Sequence, residues 1–300
     1  MELRHLNYFI TVAEELHFGR AAKRLNISQP PLSQQIRQLE EEIGVRLFNR
    51  TKRRVEITPA GVVFLAEARR IMIMSKDAVR STIRADKGEI GRLAMGFIGS
   101  ANYSVLPQVI REYRRRFQNV ELSLTEMNTS HQLEALLGGN IHVGFLRSPQ
   151  GIKEKGLAVE PVFQEPLVVA LPRNHPLKRE KTLPIRRLAK DSFIMIPRQL
   201  GPGFFDDLIV LCQKEGFSPS IVLEASQFHT VIGLVAAGLG IAVVPASMER
   251  SRIEGVIFRK ITGGAKTVLN MAWLANNESL VLKNFIDVAR KVARSIHSNK

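Results

Sequence analysis

The chain has 300 residues, of which 45% are hydrophobic and 24% charged, and its formal net charge at pH 7 is +15. This composition is typical of a globular protein of two or three domains and excludes a disordered or fibrous chain. The excess of positive charge favours a polyanionic partner, although many soluble proteins are basic without binding nucleic acid.

Cysteine content and the N-terminus indicate the compartment. Cys212 is the single cysteine, which excludes a disulfide framework and a thiolate metal cluster. The N-terminus has the features of neither a signal peptide nor a transit peptide, and no run of about 20 apolar residues occurs. We therefore expect a cytoplasmic protein without a membrane span.

A helical hairpin is predicted near the N-terminus, after a first helix marked by an apolar stripe. That stripe comprises Leu3, Leu6, Phe9, Ile10, Ala13 and Leu16. Ala21 and Ala22 allow close helix packing, and Asn26-Ile27-Ser28 supplies a turn and an N-cap. The core-facing side of the next helix comprises Leu32, Ile36, Leu39 and Ile43. The pattern predicts a helix-turn-helix whose second helix enters the DNA major groove, with an ordinary helical hairpin as the alternative.

Polar side chains on that second helix are the candidates for contact with DNA. Gln29 can pair bidentately with adenine, and Pro30 and Pro31 can contact a thymine methyl group. One turn later, Ser33, Gln34 and Arg37 can contact bases or phosphates. The alternative for each of these side chains is simple solvation.

A basic stretch and a long helix follow. Residues 46–54 hold five positive charges and no acid, and a β-wing there would place Arg50, Arg53 and Arg54 along the phosphate backbone. Thr58-Pro59 is typical of a helix start, and no proline interrupts the chain from there to about residue 84. The apolar seam of this helix, near heptad spacing, comprises Leu65, Ala68, Met72, Ser75 and Val79. A narrow seam on so long a helix indicates a dimer interface.

From residue 88 onward, apolar strands alternate with helices. Alternation of this kind predicts open α/β sheets that bind ligands at the carboxyl ends of their strands. The number of elements predicts two lobes and a cleft between them. We expect no catalytic residue, metal or cofactor, because the seven histidines have no metal-ligand spacing and neither a GxSxG nor a P-loop motif occurs.

Three polar residues follow apolar strands and are therefore expected at one edge of the cleft. Ser100 and Thr129 lie at helix starts, where free N–H groups favour an anion, and Arg147 adds a planar guanidinium suited to a carboxylate. Phe204, after Gly201-Pro202-Gly203, supplies an apolar wall from the other lobe. The alternatives are ordinary N-caps and a surface ion pair.

The whole chain resembles the LysR-type transcriptional regulators. The residues that carry the resemblance are Ala22, Leu25, Ser28, Gln29, Pro30, Ser33, Ile36, Leu39, Glu40, Gly44, Leu47, Phe48, Arg50, Thr58, Ala60 and Gly61. It implies a winged helix-turn-helix at 1–58, a linker and dimerisation helix at 59–87, and an effector-binding domain at 88–300. That domain is expected to be α/β and periplasmic-binding-protein-like, with lobe I at 88–162 and 268–300 and lobe II at 163–267.

The effector half resembles the subgroup that controls catabolism of aromatic compounds and muconate. The segments that carry this resemblance are 96–100, 126–129, 143–147, 233–240 and 243–247. A regulator of acetoin and fermentation genes is comparably similar in the N-terminal half. Gln34 stands where several relatives carry arginine, so their base preference does not transfer.

The resemblance also implies how the protein acts. It implies an inducer-dependent activator that binds double-stranded promoter DNA as a homotetramer, a dimer of dimers, and that can contact RNA polymerase. The inducer is expected to be a small organic molecule, either a carboxylate or an aromatic compound. The competing hypothesis is an α/β enzyme or a solute-binding protein with a fortuitous helical N-terminus.

Overall fold

The computed structural model of the chain describes residues 1–51, 54–147 and 156–298. The chain divides into two compact units, Met1–Arg84 and Ala85–Lys300, and each has its own hydrophobic core. None of the described helices is both long and apolar enough to cross a membrane.

The N-terminal unit is a helix-turn-helix followed by a two-stranded wing and a long helix. Its elements are α1 (Leu3–Glu15), α2 (Phe18–Arg24), α3 (Gln29–Ile43), β1 (Phe48–Arg50), β2 (Val55–Ile57) and α4 (Pro59–Asp86). Strands β1 and β2 pair antiparallel, with Phe48 opposite Ile57. The ring of Phe9 lies 5.2 Å from that of Phe48 and 4.9 Å from that of Phe64, so an aromatic cluster joins α1, the wing and α4.

The turn between α2 and α3 forms as the sequence predicts. Asn26 adopts a left-handed conformation (φ 55°), which asparagine tolerates better than most residues. The Ile27 N–H donates to the Ala22 carbonyl oxygen at 3.0 Å, and the small Ala21 and Ala22 are buried between the helices. The chain leaves α3 at Gly44, whose φ of 80° ends the helix in the left-handed region.

The start of α4 packs tightly against the chain segment before the wing. The Thr58 hydroxyl accepts the Gly61 N–H at 2.9 Å and donates to the Arg46 carbonyl oxygen at 2.8 Å, which confirms the predicted N-cap. A Cβ at Gly61 would lie 2.3 Å from the Leu47 carbonyl oxygen. Glycine is therefore required here by close backbone approach.

We expect Gly61→Ala to lower the free energy of unfolding of the N-terminal unit by about 1–3 kcal/mol, because the added methyl group would overpack against backbone. The matched control is Gly233→Ala, since a Cβ at Gly233 has no neighbour within 4 Å. That change should be neutral or stabilising. Urea denaturation monitors both variants, and equal stability of Gly61→Ala and the wild type would contradict the packing argument.

The predicted seam of α4 lies partly on its own unit. Ala68 is fully buried, and Leu65 and Met72 pack against the N-terminal core. The expectation that all five seam residues form a dimer interface is therefore wrong for Ala68, whereas Leu65 and Met72 are only partly buried and their place in the interface stays a prediction. The large apolar side chains that α4 exposes include Val79 of the predicted seam, together with Val62, Val63, Ile73, Met74 and Ile83.

The second unit is built from mixed sheets with helices on their faces. Its strands are β3 (Ile90–Phe97), β4 (Asn119–Glu126), β5 (Val143–Leu146), β6 (Leu157–Pro172), β7 (Thr182–Leu183), β8 (Ser192–Met195), β9 (Ser220–Glu224), β10 (Ala242–Pro245), β11 (Val256–Ile261) and β12 (Lys266–Leu274). Its α-helices are α5 (Leu106–Arg116), α6 (Thr129–Leu137), α7 (Pro202–Lys214), α8 (Phe228–Ala236) and α9 (Leu280–Ser298). Short 3-10 helices lie at Gly99–Tyr103, Pro176–Arg179, Ile185–Leu188 and Ala246–Ser251.

Two lobes share the long strand β6. In the first lobe the strand order is β4-β3-β5-β12-β6, with β3 parallel to both β4 and β5. In the second lobe β6 continues between β10 and β11, and β8 pairs with β9 and bridges to Ile241 beside β10. Separate cores fill the lobes, and β6 and β12 run side by side from one lobe towards the other.

The first half of β6 is an element that the sequence did not predict. Pro161 and Pro166 interrupt its apolar pattern, and proline is uncommon inside a paired strand. Pro161 is tolerated because it faces Asn270 at the irregularity between Leu269 and Asn270 of β12. The apolar run Leu167–Leu171 predicts a strand that begins at Leu167, whereas β6 begins ten residues earlier, at Leu157.

Candidate DNA-binding helix and effector cavity

The first turn of α3 presents an open polar surface. Gln29, Pro30 and Pro31 occupy this turn and are all exposed, and Ser28 is the N-cap residue by its extended conformation. On the opposite face, Leu32, Ile36 and Leu39 are fully buried. Burial of that face fixes the rotation of α3, so its N-terminal side chains point away from the core.

The second turn of α3 extends the same surface. Gln34 and Arg37 are exposed and Ser33 is half-buried, as expected for side chains that could contact base edges. Gln35 differs from them, because its side chain oxygen lies 2.7 Å from Nε2 of the buried His5 on α1. The candidate base-contacting residues are thus brought together on one face.

The wing holds the remaining candidates, which have different surroundings. Arg54 is exposed and its Nη1 lies 2.9 Å from the Glu56 carboxylate, a surface ion pair that DNA could displace. Arg53 lies outside the residues that the structure describes.

Arg50 is held by partners within its own unit. Its Nη2 donates to Glu40 Oε2 at 2.7 Å and its guanidinium lies 4.7 Å from the centre of the Phe18 ring. Burial lowers the pKa of Arg50, whereas Glu40 raises it. Arg50 is thus a brace between α3, α2 and β1, and its predicted contact with DNA stays a prediction.

Glu40 is the residue of this unit whose role sequence reasoning missed. Its Oε1 accepts the backbone N–H groups of Leu47 and Phe48 at 2.8 and 3.0 Å. One carboxylate thus fixes the entry to the wing and orients Arg50. The signal was present, because Glu40 is an acid at the edge of an apolar helix face, ten residues before an arginine in the first strand of the wing.

In the second unit, the candidate effector residues gather around a small cavity between the lobes. The residues that line it are Ile98, Gly99, Asn128, Thr129, Arg147, Ile196, Leu200, Gly201, Phe204, Ser226, Gln227 and Phe228. Its volume open to water-sized molecules is about 30 Å³, which is room for a water molecule and too little for an aromatic acid.

The two hydroxylated residues lie at the helix starts that the sequence predicted. Thr129 begins α6, with Asn128 as its N-cap, and the Thr129 hydroxyl donates to the Arg147 carbonyl oxygen at 3.4 Å. Ser100 lies in the 3-10 helix at Gly99–Tyr103, next to the cavity-lining Gly99, and is 1% exposed. Within the described part of the chain, the Ser100 hydroxyl has no hydrogen-bond partner, which is unusual for a buried polar group.

Arg147 lines the cavity, but its charge is already paired. It is 3% exposed, Nη2 donates to Glu165 Oε1 at 2.6 Å, and Nη1 donates to the Thr267 hydroxyl at 3.0 Å. Burial lowers the pKa of Arg147, and Glu165 raises it. The fork expected to bind a carboxylate therefore binds one inside the protein, and Nε is the guanidinium nitrogen left without a partner among the described residues.

Glu165 and Ser247 complete this network and were not predicted. The Ser247 N–H donates to Glu165 Oε2 at 2.6 Å, so the carboxylate on β6 contacts Arg147 of the first lobe and a helix start of the second. An acidic residue that is buried in a strand requires a basic or hydrogen-bonding partner, so Glu165 beside the apolar run of β6 indicates such a partner. The sequence could not say which of the 43 basic residues supplies it.

The apolar wall of the cavity comes from the second lobe. Phe204 is 7% exposed, and its ring lies 4.9 Å from that of Phe228 in an edge-to-face arrangement. Phe204 stands in the first turn of α7, because the predicted loop residues Pro202 and Gly203 are already helical. All four predicted residues thus lie at or directly beside the cavity.

Comparison with known proteins identifies both units. Residues 3–62 match the bacterial regulatory helix-turn-helix protein, lysR family, and residues 86–294 match the LysR substrate binding domain. The chain belongs to the LysR family. Members of this family are DNA-binding transcriptional regulators that bind small-molecule effectors and form oligomers, so the enzyme and solute-receptor alternatives receive no support.

Relatives and solved structures match this LysR regulator over nearly its full length. It is 43% identical to the HTH-type transcriptional regulator AlsR of Bacillus subtilis over 293 residues, 96% of this chain and 95% of that protein. It is 34% identical to the Hca operon transcriptional activator HcaR of Escherichia coli, covering 99% of both chains. The crystal structure of CbnR, a LysR family transcriptional regulator, is 33% identical with a TM-score of 0.87, covering 97% of this chain and 100% of that one. Full-length CbnR complexed with its target DNA has a TM-score of 0.84 at 32% identity, covering 98% of this chain and 100% of that one.

Proposed function

We propose that this LysR regulator is an inducer-dependent activator that senses a small aromatic or carboxylate effector at the cavity between its two lobes. The observation that carries the proposal is the buried Ser100 hydroxyl, which lacks a partner within the described residues and lies beside a cavity lined from both lobes. A buried unpaired hydroxyl costs about 1–3 kcal/mol, and a ligand that accepts its hydrogen bond removes that cost.

The lining indicates how such an effector is held. Phe204 and Phe228 provide an apolar wall for a ring or hydrocarbon chain, and Ser100 provides a hydroxyl donor at a helix start. The Thr129 hydroxyl donates to the Arg147 carbonyl oxygen and is left to act as an acceptor. Because Glu165 already neutralises Arg147, the effector's polar group meets these hydroxyls and Arg147 Nε rather than an uncompensated positive charge. The cavity must enlarge to admit the effector, so binding favours a different lobe arrangement and thereby shifts the regulator.

At the DNA, we propose that Gln29, Ser33, Gln34 and Arg37 contact base edges, with Pro30 and Pro31 against thymine methyl groups. Arg53 and Arg54 contact phosphates.

The DNA-binding domain comprises residues 1–58, the dimerisation helix residues 59–87 and the effector-binding domain residues 88–300. The exposed apolar side of α4 pairs two subunits, and two such dimers form a tetramer. The protein acts in the cytoplasm and converts no substrate. The names of HcaR and of a probable cat1 operon transcriptional activator of Acinetobacter lwoffii, 34% identical over 300 residues, support activation as its mode.

Ser100→Ala is expected to raise the dissociation constant of the effector about tenfold, the result of losing one hydrogen bond worth about 1.4 kcal/mol. Calorimetric titration of the full-length protein with benzoate, muconate, acetate and acetoin identifies the effector and measures the loss. The matched control is Ser104→Ala, because the buried Ser104 hydroxyl donates to the Ala101 carbonyl oxygen and faces no ligand. Equal affinities for the wild type and Ser100→Ala would exclude this cavity as the effector site.

A further inference from the structure

A short segment of the second lobe carries much of the chain's positive charge. Residues 173–190 contain seven basic side chains and one acidic side chain, Glu180. We call the seven the basic strip: Arg173, Lys178, Arg179, Lys181, Arg186, Arg187 and Lys190. All seven are exposed, and the one ion pair that the structure gives within the strip joins Arg187 to Glu180 at 3.0 Å.

The segment is held in a fixed shape rather than extending loosely into solvent. Leu183, Ile185 and Leu188 are buried in the core of the second lobe, so the charged side chains between them point outward. At one end, Nε2 of the buried His175 lies 3.1 Å from Asp191 Oδ1. In the middle, Arg259 of β11 donates to the Lys178 carbonyl oxygen. The strip is therefore a preorganised cationic surface.

Its charge exceeds that of the helix-turn-helix domain. Residues 1–58 contain ten basic and seven acidic side chains, a net charge of +3, whereas residues 173–190 carry +6. Six of the chain's fifteen net positive charges thus lie outside the DNA-binding domain, in one segment of the effector-binding domain. Concentration of this kind would cost repulsion energy if no polyanion were to bind there.

The surroundings of the strip favour nucleic acid over an acidic protein. Protein interfaces are anchored by aromatic and apolar side chains at their centre. Between residues 173 and 190, all of which the structure describes, no large apolar side chain is exposed. Contact with a phosphate backbone requires mainly cations, which this surface supplies.

We propose that the basic strip is a second DNA-binding surface, which contacts the phosphate backbone without base specificity. It adds affinity and salt dependence to the base contacts made by α3. Because the strip belongs to the second lobe, any effector-driven change in lobe arrangement also moves this backbone contact. This proposal is independent of the proposed effector site, because DNA binding by the strip is measured without an effector.

The test measures binding of the full-length protein to a duplex of about 60 base pairs of arbitrary sequence, by fluorescence anisotropy, between about 50 and 200 mM KCl. The strip variant combines Lys178→Gln, Arg179→Gln, Lys181→Gln and Arg186→Gln. The control variant removes the same charge from other exposed positions of the second unit through Arg92→Gln, Lys214→Gln, Lys283→Gln and Lys291→Gln. Far-UV circular dichroism verifies that both variants fold.

The strip variant should bind at least tenfold more weakly than the control variant. Its slope of log K against log[KCl] should be shallower by about 0.9 for each lost phosphate contact, up to about 3.6 for four. Equal losses of DNA affinity in the two variants would show that only the net charge of the protein matters, and this result would overturn the proposal.

Discussion

Glu165→Gln is expected to lower the free energy of unfolding of the effector-binding unit by about 3–5 kcal/mol, because it leaves the charge of Arg147 buried without compensation. Glu165 is nearly inaccessible, with a side chain 2% exposed, and lies 2.6 Å from Arg147. Water therefore cannot replace the lost carboxylate charge. The double variant Arg147→Met with Glu165→Gln should recover part of the loss, since it removes both charges.

Strand β6 itself provides the control for this experiment. Glu160 also pairs with an arginine, Arg290, but the two side chains are 37% and 42% exposed. Glu160→Gln should therefore cost less than about 1 kcal/mol. Urea denaturation of full-length variants measures both changes, and equal losses at the two positions would show that burial does not set the strength of the Arg147–Glu165 pair.

Ile73→Glu is expected to separate the oligomer and weaken operator binding by about 10²–10⁴-fold, because the second helix-turn-helix of a dimer then no longer binds intramolecularly. Ile73 is 59% exposed on α4, an unfavourable position for a large apolar side chain unless a partner subunit covers it. Sedimentation velocity measures the assembly and anisotropy measures the DNA affinity.

A variant of the neighbouring Met72 distinguishes an effect on folding from an effect on assembly. Met72 is half-buried against the core of its own unit, so Met72→Glu should lower the melting temperature of that unit, whereas Ile73→Glu should not. A well-folded Ile73→Glu variant that sediments like the wild type would contradict the α4 interface.

Elements with strong periodicity were predictable from the sequence. Helix α3 and its buried face of Leu32, Ile36 and Leu39 follow from apolar spacing alone, and Gly44 ends the helix as expected. The apolar runs at 93–98, 120–124, 142–146 and 268–274 likewise predict β3, β4, β5 and β12 of the first lobe. The first half of β6, the two-residue β7 and β11 were missed. The first half of β6 contains two prolines, and β7 is defined by its pairing with β11 rather than by its own sequence.

The sequence predicted where the site residues lie, but it did not predict which acidic residues pair with the arginines. Ser100, Thr129, Arg147 and Phe204 come after strands or at helix starts, so topology alone brings them near one cavity. Pairing of Arg147 with Glu165 joins a residue that follows β5 to one in the middle of β6, 18 positions along the chain, and local pattern does not encode it. Local pattern also does not encode the contacts of Arg50 with Glu40 and Phe18, because they form only when α2, α3 and β1 pack together.

We propose that the polar face of α3 recognises a specific DNA sequence. Competitive anisotropy tests it with the DNA upstream of the protein's own gene against an arbitrary duplex of equal length, at about 150 mM KCl. The wild type should prefer the upstream DNA by about 10³-fold or more, and Gln29→Ala with Ser33→Ala should remove most of that preference while retaining the affinity for arbitrary DNA. A wild type that binds the two duplexes equally, or a double variant that retains the full preference, would contradict the claim.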